Sequence, residues 1–237
     1  MNCKCCGEDK KLIKAHIIPK SFYRNAIGDS DKPLTIVTDT KGIRPKRSQE
    51  GEYDKEILCH GCEQLFQECD NYAQELFLKT KFEETIIHPD LSAYELTTYN
   101  YNLLKRFCLS VTYRAHLSNR GMFKHISLGK YAPLLKDLLH RKDSIGFNTF
   151  PCVIYHHSGD YSLVMPDPCM TRMEGVNWGD FYLGSFGFLI KLDQRPVNHR
   201  LSKMVLREDT PLVVSSSPFK KSKHFKVLNK IFPLRNR

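Results

Sequence analysis

Two cysteine pairs constrain this chain more than any other feature: Cys3-Lys4-Cys5-Cys6, followed by Gly7, and Cys59-His60-Gly61-Cys62. Each has the C-x-x-C spacing that turns two sulfurs toward one ion, and two such pairs supply the four-thiolate tetrahedron that zinc favours. Gly7 suits the sharp backbone turn under a metal knuckle. The second pair opens a run of helical periodicity, so its thiolates gain from a helix N-terminus. Cys3, Cys6, Cys59 and Cys62 are therefore expected to hold a structural Zn²⁺. Cys5 competes for the first position, and register favours Cys3 with Cys6. Cys69, Cys108, Cys152 and Cys169 have no paired spacing and read as small core residues.

The segment between the pairs explains why an ion is needed. Residues 1–60 are rich in turn and breaker residues, at Gly28–Pro33 and from Lys41 to Tyr53, with short strands expected at Leu12–Ile18 and Thr35–Val37. Such a segment buries little apolar surface, and structural zinc contributes on the order of 10–16 kcal/mol in small metal-folded modules. From Cys62 the period changes. Leu65, Phe66, Cys69, Tyr72, Ala73, Leu76 and Phe77 recur at helical spacing. Further helices are expected over Asn100–Leu117 and Lys130–Arg141, with Pro133 in the first turn of the latter. After Asn148 the pattern turns to strands: Phe150–His156 and Tyr161–Met165 around a Ser158-Gly159-Asp160 turn, then Phe181–Leu192 and Leu212–Ser215. The fold class is α+β. An N-terminal zinc-stapled unit over residues 1–95 is expected to precede an α+β domain over 96–237 with a mainly antiparallel β region.

Nine cysteines, with no apolar stretch at the N-terminus, favour a reducing, cytoplasmic setting. No run of about 18 apolar residues suggests a membrane span. The formal charge is +10, and seven basic residues with no acid fall within 219–237, interleaved with Phe219, Phe225 and Phe232. That tail suits either a phosphate backbone or simple solvation. Lys105, Arg106, Arg114, His116 and Arg120 likewise read as a phosphate-contacting stripe or as a solvated helix face. Gly184-Ser185-Phe186-Gly187 lacks the lysine of a P-loop, and no Gly-x-Ser-x-Gly elbow is present. His156 and His157, adjacent on a strand, point to opposite faces and do not suit one metal.

Between the cysteine pairs, the strand Leu12 to Ile18 ends in Ala15-His16-Ile17-Ile18-Pro19, Asp54 precedes Cys59 by five residues, and Glu63 follows Cys62. Together with the Cys3–Gly7 knuckle, these residues resemble the HNH nucleases, in particular those whose ββα-metal, treble-clef-like finger is braced by two cysteine pairs. The resemblance covers roughly the first 80 residues. It implies that His16 is the general base for phosphodiester hydrolysis. It also implies that Glu63 is a ligand for catalytic Mg²⁺ or Mn²⁺ and that Asp54 orients His16 or assists the metal. The implied substrate is nucleic acid, with DNA the expected one. The pattern departs from the family at three places: Ala15 stands where many members carry a metal-binding Asp or His, and Asp54 and Glu63 replace the usual Asn and final His or Asn. The residues are also compatible with a non-catalytic zinc-finger module that binds nucleic acid or a protein partner, in which His16 is a structural imidazole. His60 reads as an exposed filler.

Overall fold

The helical periodicities of the sequence build the centre of the molecule. The structure, a computed structural model, describes residues 1–27, 32–38, 41–82, 84–88, 91–159, 164–173, 175–193, 195–197 and 199–231. In chain order these form β1 (Ala15–His16), α1 (Lys20–Ile27), β2 (Leu34–Val37), β3 (Lys46–Ser48), β4 (Tyr53–Asp54) and α2 (His60–Lys79). There follow β5 (Glu84–His88), β6 (Leu91–Leu96), α3 (Tyr101–Leu117), α4 (Ala132–His140), β7 (Cys152–Ser158), β8 (Val164–Pro166) and β9 (Cys169–Met173). The chain closes with β10 (Val176–Tyr182), β11 (Phe186–Lys191), α5 (His199–Ser202), β12 (Leu212–Pro218) and α6 (Lys223–Ile231). The architecture is mixed α+β, with mostly antiparallel sheets.

Helix α3 is the element around which the rest is arranged. The Asn100 side chain accepts from Leu103 N at 3.0 Å and so satisfies one of the open donors of its first turn. From Phe107 to Ala115 every residue is buried, as expected of a helix enclosed on all sides. Phe107 packs on Phe22 of α1, Phe77 of α2 and Phe188 of β11, which joins the N-terminal segment to the large sheet. That sheet has the order β5-β6-β12-β7-β11-β10-β9, all antiparallel except β12 with β7. A second sheet, β3-β2-β8, pairs β2 in parallel with β8. A two-stranded ribbon sets Ala15 opposite Asp54 and His16 opposite Tyr53.

Several expectations are corrected here. The strand expected over Leu12–Ile18 is only β1, with an isolated bridge from Leu12 to Cys59. Phe181–Leu192 is not one strand but the hairpin β10–β11, turned at Gly184, whose φ of +102° suits a residue without Cβ. Val164–Pro166 pairs with β2 and not with β7, while Asp160 of the expected turn and residues 161–163 of the expected strand lie outside the described residues. Residue 95 lies inside β6, a strand with neighbours on both sides, and one hydrophobic cluster includes residues from Cys3 to Leu228. Three members of the basic stripe are taken up inside the protein, while Arg120 at its end is exposed. Lys105 and Arg114 are fully buried, and Arg106 donates to the carbonyl of Leu138 in α4 and to that of Asp143 beyond it. The C-terminal helix α6 is docked by His224, which shares Asp180 with Tyr155 at 3.1 and 2.7 Å; residues 232–237 lie outside the described residues. Among the described residues no helix is long and apolar enough to cross a membrane.

Candidate functional site

The four cysteines meet. The sulfurs of Cys3, Cys6, Cys59 and Cys62 all lie within 4.8 Å of one another, close enough to bind a metal ion. A tetrahedron of Zn–S bonds of about 2.3 Å requires sulfurs about 3.8 Å apart, and Cys6 Sγ to Cys59 Sγ is 4.0 Å. The local chain folds to make this set. Gly7, at φ +83°, lets its N–H return to the Cys3 carbonyl at 2.7 Å, and Lys4 N donates to Ile57 O at 2.9 Å. Burial opposes the Cys3 thiolate, but the N–H groups of Cys6, Cys59 and Cys5 bring its pKa down to about 7. Burial and the surrounding sulfurs push Cys62 up, because several thiolates in one place need a cation among them. Cys5 stands outside the set, 4.0 Å from His140 Nε2, and burial raises its pKa to about 11.

His16 is positioned by the strand that leaves this knuckle. Its Nε2 lies 3.1 Å from the carbonyl oxygen of Glu50. A carbonyl only accepts, so Nε2 carries the proton and Nδ1 keeps the lone pair. Burial lowers the His16 pKa below the ordinary 6.5, and Lys14 and Lys20 add to the shift, so the ring is neutral at neutral pH. Both lysines are held by the Glu50 carboxylate, whose pKa they bring down to about 2. The turn that presents Glu50 depends on Gly51: at φ +80°, a Cβ there would collide with the buried ring of Tyr23.

Glu63 lies in the first turn of α2, anchored by its N–H to the Cys59 carbonyl at 3.1 Å. Burial raises its pKa, Arg114 pulls it back, and Asp70 adds to the rise. Its Oε2 is buried without a hydrogen-bond partner, as is Ser21 Oγ at the start of α1. Buried polar atoms of this kind call for a ligand, ion or water.

Both orphaned atoms belong to residues lining one open cleft of about 890 Å³ between α1 and α2. His16 and Glu63 line it together, with Lys20 and Arg24 on the α1 side and Gln64, Gln67, Asn71 and Gln74 on the α2 side. His60 is exposed in the same cleft. Asp54 is not among its lining residues. Its Oδ2 accepts from Ser118 Oγ at 2.9 Å and Asn119 N at 3.2 Å, and its Oδ1 from Glu56 N at 2.9 Å, so the carboxylate ties β4 to the end of α3. Of the other acids between His16 and Cys59, Asp29, Asp31 and Asp39 lie outside the described residues.

Arg114, read from sequence as part of a phosphate-contacting or solvated stripe, instead supports the site from within. Its guanidinium makes two bonds to the Asp70 carboxylate, at 2.7 and 2.8 Å, and a third to the His16 carbonyl at 3.1 Å. With its side chain only 1% exposed, it joins α3, α2 and β1 beneath the cleft. Breaking such a buried pair from one side typically costs about 3–5 kcal/mol. Arg114, Ser118 and Asn119, all within 107–119, contact the N-terminal elements. Comparison with protein-family models, curated proteins and solved structures finds no match.

Proposed function

We propose that the chain is an HNH-like endonuclease that hydrolyses phosphodiester bonds, most readily in DNA, from a zinc-stapled, treble-clef-like finger. The observation that carries the reading is the shared cleft of His16 and Glu63, each fixed by an element that the cysteine set anchors. Four clustered thiols fit a borderline dication such as Zn²⁺, and an orphaned carboxylate oxygen fits a hard one such as Mg²⁺ or Mn²⁺. A divalent cation bound at Glu63 supplies neutralisation of the charge that develops on the phosphate and the leaving oxygen.

The protein's own part follows from the imidazole. His16 Nδ1 takes the proton from the water that attacks phosphorus, while the Glu50 carbonyl holds the ring in the required tautomer and stabilises the imidazolium that forms. Arg114 keeps the His16 backbone and α2 in register, so the base and the carboxylate face one substrate. Asp54 acts as a strut in this reading. The test is nicking of supercoiled plasmid with Mg²⁺ or Mn²⁺. Wild type is expected to nick and His16→Ala to lose about 10²–10⁴-fold in rate. Equal inactivity of both on every nucleic acid offered would remove the enzyme reading and leave a binding module.

A further inference from the structure

The two walls of the cleft differ in chemistry. The α1 wall presents Lys20, Arg24 and the orphaned Ser21 hydroxyl. Arg24 is exposed and makes no ion pair among the described residues. These are cationic and donor groups, which suit phosphate oxygens. The α2 wall is different. Gln64, Gln67, Asn71 and Gln74 recur at three and four residues, so they form one stripe that faces the cleft. Each carboxamide offers donors and an acceptor side by side, the pattern that matches base edges, adenine N6 and N7 above all. His60 and the acids Glu63 and Asp70 line the same wall, where Asp70 is paired with Arg114 and the amides run beside them.

We infer that the cleft takes an unpaired DNA strand in one orientation, its phosphates along α1 and its bases along the α2 amides, which discriminate among them. This rests on the nuclease reading of the same cleft. The stripe covers ten residue steps of helix, about 15 Å, room for a few nucleotides of unpaired strand. An unpaired strand fits because the amides sit inside a cleft with α1 opposite; a duplex groove would need them on a projecting ridge. The stripe begins at Gln64, next to Glu63, so the first base read lies beside the bond to be cut.

The experiment is a fluorescence-anisotropy titration of the full chain with labelled twelve-nucleotide dA, dT and dC homopolymers and a duplex of equal length, without Mg²⁺ or Mn²⁺ so that nothing is cleaved. Wild type should bind the dA strand at least about five-fold more tightly than dT, and more tightly than the duplex. Gln67→Met combined with Asn71→Leu, both at exposed positions, should bring the homopolymers to within two-fold of each other with an unchanged salt slope. Arg24→Ala should weaken all strands alike and reduce the slope of log K against log salt by about 0.7. Base-blind binding by wild type, a preference that survives the amide double variant, or equal binding of the duplex would overturn the inference. Base-blind binding with active nicking sinks the inference alone. Base-selective binding without nicking sinks only the nuclease reading, and no binding to any strand sinks both.

Discussion

At the scale of the residue, the tautomer of one imidazole decides what the cleft can do. Because the Glu50 carbonyl fixes the proton on Nε2, Nδ1 is available as a base without prior rearrangement. Burial and two nearby lysines hold the His16 pKa below 6.5, so the neutral, active form persists into mildly acidic solution. The expected acid limb of the kcat/KM profile for nicking has its midpoint below 6.5, the ordinary imidazole value. A profile still rising above pH 7.5 would show that another group limits the reaction. The same shift bears on stability with the sign of a depressed base: as pH falls through 6.5 the unfolded chain takes up the proton first, so His16's contribution is lost toward acid. Asp54 supplies the contrasting case. Asp54→Asn should cost about 1–3 kcal/mol in chemical denaturation, because Ser118 and the Asn119 and Glu56 amides lose a charged acceptor, while nicking per folded molecule stays within a few-fold of wild type. A large loss of rate with unchanged stability would return Asp54 to the chemistry.

At the scale of the element, what could be read from sequence divides by the range of the interactions. Helices α2, α3 and α4 match their expected spans to within a few residues, since periodicity and caps such as Asn100 are local. The cysteine set was legible for the same reason: C-x-x-C is a local geometry, and only the union of the two pairs spans distance. His16 and Glu63 could be placed by their neighbours in sequence. Strand partners could not. Nothing near Val164 announces that it pairs with β2, and nothing near Asp54 announces Ser118. Arg114 was misread because a buried arginine and a solvated one share the same helical spacing; only Asp70 on another helix distinguishes them.

At the scale of the whole molecule, one core runs from the cysteine knuckle to α6, so a metal at the knuckle should support more than the finger. A strong zinc chelator, or Cys59→Ser, is expected to lower the Tm of a single cooperative transition, and added Mg²⁺ should not restore it. An unchanged Tm after verified metal removal would deny the site its structural role.

The pairing of β2 with β8 also has a consequence for biosynthesis. When the second cysteine pair emerges from the ribosome, Arg114, Ser118 and Val164–Pro166 have yet to be made. At about 5–20 residues per second, the remaining stretch of about a hundred residues takes roughly 5–20 s. During that interval the nascent chain carries His16 and Glu63 without Arg114 and the strand that hold their supporting elements, so the cleft they line is not yet assembled. Chains stalled after residue 95 should be degraded rapidly by protease even with zinc present, and those stalled well beyond residue 218 should resist it; protection of the shorter chain would refute the delay.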